Sequence, residues 1–275
     1  MDASATNATT AGARKAVFIT GAASGIGLAA AKRFAAEGWF VGLSDIDAAG
    51  LKAALVAIGP DNGSVHRLDV RDRSAWTAVL ADFAKVTKGR LDLLLNNAGI
   101  ARFGPFESHE DADIDLQLDI NIKGVISGAR AALPWLKATP GSRLVNISSC
   151  AGLYGSPGLA VYSATKFAVR GLSEALDVEF APQGVSVACV MPWFVETPIL
   201  NASQPGSNAN MSDALKAGGL PVYPVEDAAE VIWRAAHGKD LHYFVGKRAR
   251  QMRFATSHMP GAVRKQLRSR PPLAT

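Results

Sequence analysis

Short apolar runs alternate along this chain with longer amphipathic stretches, and that alternation predicts most of the fold. The segments KAVFIT (15–20), WFVGLSD (39–45), SVHRLDV (64–70), LDLLLNNAG (91–99), SRLVNISS (142–149), VSVACVMP (185–192) and LHYFVG (241–246) read as strands. Several are apolar at consecutive positions, which suits parallel strands buried on both faces. Amphipathic spacing predicts helices near 25–37, 47–58, 72–88, 110–138, 161–181 and 225–237. Strand–helix alternation of this kind implies an α/β fold: a single doubly wound parallel sheet of about seven strands, right-handed crossovers, and helices on both faces. Residues 201–224 break the rhythm with Gly, Pro, Ser and Asn and predict a loop with a short helix. Such a segment just past a strand end is where a lid belongs, and the expected lid covers about 193–224.

Composition narrows this picture. The chain has 275 residues, 48% hydrophobic and 19% charged, which fits one folded domain over residues 15–246. Residues 1–14 are small and polar without an apolar h-region, so a disordered leader and a cytoplasmic location are expected rather than a secretory signal. No apolar run is long enough to span a bilayer. Cys150 and Cys189 have no metal-ligand spacing, so reduced thiols and no metal are expected.

The net charge is +5, yet residues 247–270 carry eight cations and no acid; removing those eight from the +5 total leaves −3. The basic character therefore belongs to a tail, residues 247–275. Its placement on its own body, on a neighbouring subunit or on an anionic surface stays open, a solvated face being the plain reading. Its apolar residues (Met252, Phe254, Met259, Val263, Leu267) are too few for membrane insertion, and no nucleic-acid reading module is present.

Candidate chemistry begins where the first strand runs into Thr20-Gly21-Ala22-Ala23-Ser24-Gly25-Ile26-Gly27. Glycines there permit a tight turn and bring backbone N–H groups to a pyrophosphate at a helix N-terminus. Asp45 ends the second strand, placed to accept hydrogen bonds from ribose hydroxyls and to repel a 2′-phosphate. No Arg or Lys occurs in residues 20–27 or 44–50, which favours NAD(H) over NADP(H). The alternative for this carboxylate is an N-cap of the helix beginning near Asp47. Asp69-Val70 is placed to meet the adenine, and the amides of Asn96 and Asn97, ahead of Ala98-Gly99, are placed to hold neighbouring strands beside the cofactor.

Tyr162 and Lys166 are four residues apart, on one face of a helix, with Ser149 thirteen residues upstream. A phenol with an ordinary pKa of about 10 needs a neighbouring cation to exchange protons near pH 7. The bland reading is a half-buried tyrosine with a lysine stem packed over it.

With TGAASGIG, Asp69-Val70, NNAG, Asn121, VNISS, Tyr162-x-x-x-Lys166 and Pro192 in this order, the chain resembles the short-chain dehydrogenase/reductase family over about residues 15–245. The resemblance implies a Rossmann-like fold and hydride exchange between a nicotinamide and a secondary alcohol or ketone. It implies Tyr162 as general acid/base, Lys166 as its pKa-lowering cation and nicotinamide-ribose ligand, Ser149 rather than Ser148 on the substrate oxygen, and Asn121 supporting a water beside Lys166. It carries Gly21, Ser24, Gly25, Ile26, Gly27, Asp45, Asp69, Val70, Asn97, Ala98 and Gly99 over to the cofactor, joined by Pro192, Val195 and Thr197 at the nicotinamide end.

One departure stands out: Trp193 replaces the glycine the family usually has after Pro192. Trp resists the positive φ open to glycine, so it either shapes the pocket or packs under the loop. Cys150, Leu153, Tyr154, Trp193 and Phe194 are the expected substrate pocket, and its apolar character points to a mostly hydrophobic alcohol or ketone. Rival readings are an NADP(H)-dependent ketone or 3-oxoacyl reductase, a non-catalytic NAD(H) binder, and an anionic-surface binder using the tail. The family associates through helices near 110–138 and 161–181, so a homodimer or homotetramer is expected, with Leu116, Leu118, Ile122, Phe167, Leu172 and Leu176 as contact candidates.

Overall fold

A computed structural model describes residues 14–201, 215 and 218–269. The leader, save Arg14, and most of the lid stretch between 202 and 217 lie outside the described residues.

Strands β1 (Ala16–Thr20), β2 (Phe40–Asp45), β3 (Gly63–Arg67), β4 (Leu93–Asn96), β5 (Arg143–Ile147), β6 (Ser186–Pro192) and β7 (His242–Val245) form one sheet in the order β3-β2-β1-β4-β5-β6-β7. All six pairings are parallel. Because side chains alternate along a strand, β1 divides its apolar residues between two cores. Val17 and Ile19 pack with Phe34 of α1 (Gly25–Ala36) and Ile232 of α7 (Val225–His237). Ala16 and Phe18 pack on the other face with Trp76 and Phe83 of α3 (Arg73–Thr87) and Leu136 of α5 (Val125–Ala138). That double burial is why the strands read as continuous apolar runs.

Between β2 and β3 lies α2 (Ala48–Ile58), capped by Asp47, whose carboxylate accepts from Ala49 N and Gly50 N at 3.0 Å. Asp72 caps α3 in the same way. The strand predicted over 64–70 ends at Arg67, leaving Asp69 and Val70 in the turn that follows.

The single helix predicted over 110–138 is three pieces: α4 (Asp111–Leu118), a π-helical turn (Asp119–Gly124) and α5. Periodicity hides this break because a π turn adds one residue without interrupting the rod. Helix α6 (Ala160–Phe180) carries Tyr162 and Lys166.

Residues 247–268 are not a separate tail. They form α8 (Lys247–His258) and α9 (Pro260–Arg268), which lie on the body with Ala249 and Val263 buried. Most of their cations are exposed, as are Phe254 and Met259, and the docking rests on Ala249 and Val263 with Met252 and Leu267 partly buried beside them. No helix among the described residues is long and apolar enough to cross a membrane.

His66, on β3, is buried among Phe18 and Phe83, and burial pushes its pKa down to about 4. The folded protein thus favours the neutral ring. Its contribution is complete above the unfolded pKa near 6.5 and is lost as pH falls from 6.5 through 4. That loss amounts to about 3 kcal/mol at about 1.4 kcal/mol per unit. Urea unfolding of His66→Phe between pH 7 and 4 is expected to show a shallower fall than the parent by about that amount.

Candidate active site

A cleft of about 540 Å³ opens at the carboxyl ends of β1 and β4, where the strand order reverses. In open α/β sheets this is where ligands bind. Its floor is built by Asn97. The amide donates to Thr20 O (2.8 Å) and Gly21 O (3.2 Å), while Thr20 Oγ1 accepts from Asn97 N and Ala98 N at 3.0 Å each. Asn96 donates in turn to Asn146 (3.0 Å), whose amide donates to Ser173 of α6 (3.0 Å). The three asparagines therefore fasten β1, β4, β5 and α6 to one another behind the cleft.

The glycine loop is shaped as a cradle. Gly21 and Gly25 have φ of +67° and +52°, and a methyl on Gly27 would overlap the Gly21 carbonyl oxygen and lie 2.7 Å from the Asn97 amide. Ser24 occupies the N-cap of α1 without a capping side-chain bond, and the first turn holds no acid. The free N–H groups and the dipole of that end thus suit an anion. Thr197 lies against Gly25, 3.2 Å from the position a Cβ there would take.

Asp45 is oriented by its own backbone surroundings, accepting from Ala23 N and Asp47 N at 3.1 Å each. The helix cap is Asp47, so Asp45 remains available to line the cleft. Asp69 accepts from the Arg71 side chain at 2.6–3.0 Å, and that guanidinium holds its carboxyl below the usual range.

Two cations therefore sit near Asp45 and Asp69, outside the loop segments 20–27 and 44–50. Arg71 lines the cleft, and Arg67 is the register partner of Asp45. Arg67 was legible only from strand pairing, because β3 brings it alongside from twenty-two positions away.

At the other end, Ser149 follows β5 and lines the cleft beside Tyr162, close enough to act on its pKa. Its Oγ accepts from Ala151 N at 3.1 Å. Ser148 points the other way, donating to Lys166 O at 2.7 Å. Lys166 Nζ lies 5.5 Å from the Tyr162 ring centroid and donates to Ile147 O at 3.0 Å.

Burial acts on both groups. It pushes the Tyr162 pKa up to about 12, against a lowering by Ser149, and the Lys166 pKa down to about 8. Desolvation is the largest effect on the phenol, and Ser149 rather than Lys166 is the group that offsets it. Cys150 also lines the cleft with its thiol pKa raised by burial, so it is a neutral wall.

Gly27 and Asn121 lie behind the wall rather than on it. Asn121 sits fully buried within the π turn. Its Oδ1 accepts from Ile100 N (2.9 Å), and its Nδ2 donates to Ile100 O (2.8 Å) and Thr165 Oγ1 (3.1 Å). Both amide hydrogens are thus committed to the protein.

Leu153 is a correction. It does not line the cleft, because the 3₁₀ turn after Ser149 closes through Leu153 N on Cys150 O and leaves the side chain buried with Met191 and Trp193. Trp193 is largely buried and lines the cleft. Lys88 is the one non-glycine residue with positive φ among the described residues, so Trp193 carries no backbone strain. Leu116, Ile120, Ser156 and Leu159 also line the cleft. Sequence reasoning missed Ile120, Ser156 and Leu159 and set Leu116 aside as an interface residue. Nothing in their local pattern separates a cleft wall from core packing.

The sequence model of the family described as short chain dehydrogenase matches residues 15–208. Oxidoreductase UcpA of Escherichia coli K12 is 36% identical over 222 residues, covering 79% of this chain and 84% of that protein. Cyclopentanol dehydrogenase of Comamonas sp. is 38% identical over 240 residues, covering 82% of this chain and 94% of that protein. The crystal structure of 3-ketoacyl-(acyl-carrier-protein) reductase from Brucella melitensis complexed with NADH superposes with a TM-score of 0.75 at 28% identity, covering 86% of this chain and 98% of that one.

The overlap at Gly27 makes a direct test. Gly27→Ala must displace the Gly21 carbonyl, so urea unfolding is expected to show a loss of about 1–3 kcal/mol. NADH binding, followed by nicotinamide fluorescence, is expected to weaken at least tenfold.

Proposed function

We propose that this chain, which belongs to the short-chain dehydrogenase family, is an NAD(H)-dependent oxidoreductase interconverting a mostly hydrophobic secondary alcohol and its ketone. The observation that supports this best is the convergence of Ser149, Tyr162 and Lys166 on the cleft that holds the glycine cradle, with Lys166 Nζ 5.5 Å from the tyrosine ring centroid. The dehydrogenase that acts on cyclopentanol supports the substrate class by similarity.

The cleft fits a nicotinamide dinucleotide. Gly21, Ser24, Gly25 and Ile26 would hold the pyrophosphate and Asp45 the adenosine ribose. Asp69, Val70, Asn97, Ala98 and Gly99 would line the middle of the cofactor, and Pro192, Val195 and Thr197 its nicotinamide end. When bound, the cofactor supplies or accepts the hydride, which is the difficult part of the chemistry.

The chain's own task is the proton. In reduction, Ser149 orients the carbonyl oxygen and Tyr162, protonated at neutral pH, donates to it. In oxidation the phenolate accepts the alcohol proton, and the Lys166 ammonium stabilises that phenolate. Asn121 serves as a positioning residue, holding the Ile100 backbone against Thr165 of α6.

A second cofactor reading has one specific observation in its favour. Arg67, paired in register with Asp45, is a cation near the ribose, which suits NADP(H). The Asp45 carboxylate still favours NAD(H) by repelling a 2′-phosphate. We also propose self-association through α4, α5 and α6, where Phe167 is exposed.

Three outcomes test the reading. Purified protein is expected to reduce cyclopentanone with NADH, and Tyr162→Phe to lower kcat at least a thousandfold with NADH binding retained; turnover undiminished in that variant would overturn the assignment. The ratio of kcat/KM for NADH over NADPH should exceed ten and collapse in Asp45→Ala. Since Lys166 loses its proton as pH rises through about 8, kcat/KM for reduction should be level from pH 6 to 7.5 and fall above 8. In Lys166→Arg that break should move upward or vanish.

A further inference from the structure

Beyond the Trp193–Phe194 corner the cleft adjoins a second cavity of about 180 Å³. Tyr154, Ser156, Trp193 and Phe194 line both, so one shared wall separates two neighbouring chambers. The far side of the smaller one comes from the C-terminal helices: Ala255 of α8, and Val263 and Leu267 of α9. Arg248 and Gln266 stand exposed at its rim, and no acidic side chain among the described residues lines it.

An apolar protein cavity of about 150 Å³ takes a benzene molecule, so this chamber has room for a six-membered ring. The shared wall is aromatic: Trp193 and Phe194 pack edge to face with ring centroids 5.4 Å apart.

We propose that this chamber is a distal substrate subsite. It takes the apolar ring of an elongated secondary alcohol or ketone whose reacting carbon lies at Ser149 and Tyr162, with the connecting portion passing along Trp193 and Phe194. The subsite rests on the alcohol/ketone reading above. Helices α8 and α9 thereby become the specificity-determining wall of the enzyme, and Trp193 the partition between its reacting and distal ends.

The test is a series of ω-phenyl-2-alkanols of increasing linker length, compared with 2-butanol and run with NAD. At one linker length kcat/KM is expected to exceed that for 2-butanol at least tenfold. Ala255→Phe fills the chamber from α8 and should erase that gain. Gln266→Phe, from an exposed position on α9, should reduce it without a folding risk.

A second readout does not need turnover. In proton–nitrogen NMR, the Trp193 indole N–H signal, assigned by its absence in Trp193→Phe, should shift on adding 4-phenyl-2-butanol to the parent, and not to Ala255→Phe. A flat series, or an equal shift in the parent and both filled variants, would overturn the subsite. A shift that persists where no alcohol or ketone is turned over retains the chamber and sinks the reaction reading instead.

Discussion

The contact on which the rest of this structure depends is the amide of Asn97 against the backbone of Thr20 and Gly21. Parallel strands with opposite winding directions diverge at β1 and β4, and their crossover helices leave a crevice there. One side chain spans that crevice from below and fixes the carbonyls of the glycine loop, so the N–H groups face upward. The same packing leaves no room for a Cβ at Gly27. A dinucleotide cradle of this kind is thus a consequence of close backbone approach, and the glycines are its geometric condition rather than its chemistry.

At the opposite end of the cleft the governing effect is desolvation. Burial holds Tyr162 in its neutral form and pulls Lys166 toward neutrality, so each is moved away from the charged state it would have in water. An acid kept protonated and a cation that gives up its proton not far above neutrality make a pair that responds strongly to any further charge brought beside it. The Asn96–Asn146–Ser173 chain behind them fixes the distance between strand and helix on which that response depends.

Much of this was legible in the chain. The seven strands, their parallel sense and the layers of helix follow from continuous apolar runs between amphipathic ones, because burial on both faces leaves that mark in the sequence. Asp47 and Asp72 announce helix starts by a local chemistry that needs no tertiary context. What could not be read depends on pairing at a distance. Arg67 meets Asp45 only through the β2–β3 register, and Ser156 and Leu159 join the cleft only through the return of the chain from β5 to α6. Leu153 and Cys150 are neighbours of like polarity, yet a single 3₁₀ turn sends one into the core and the other to the cleft. The C-terminal helices were misleading for a different reason. Their charge density reads as a solvated tail, while a few buried small residues hold them to the body.

The π turn at Asp119–Gly124 has a consequence for how this region tolerates change in length. One extra residue in a helix rotates everything before it by about 100° relative to everything after. Helices α4 and α5 are therefore held out of phase with each other. Leu116 and Ile120 line the cleft while Ala132 and Leu136, on the continuation of the same rod, pack in the core; an unbroken helix would set these pairs about 160° apart, and the extra residue brings them to about 60°. Spacing here carries information that residue identity does not. A deletion of one position would leave a better helix by every local measure, and would turn one wall of the cleft away from it.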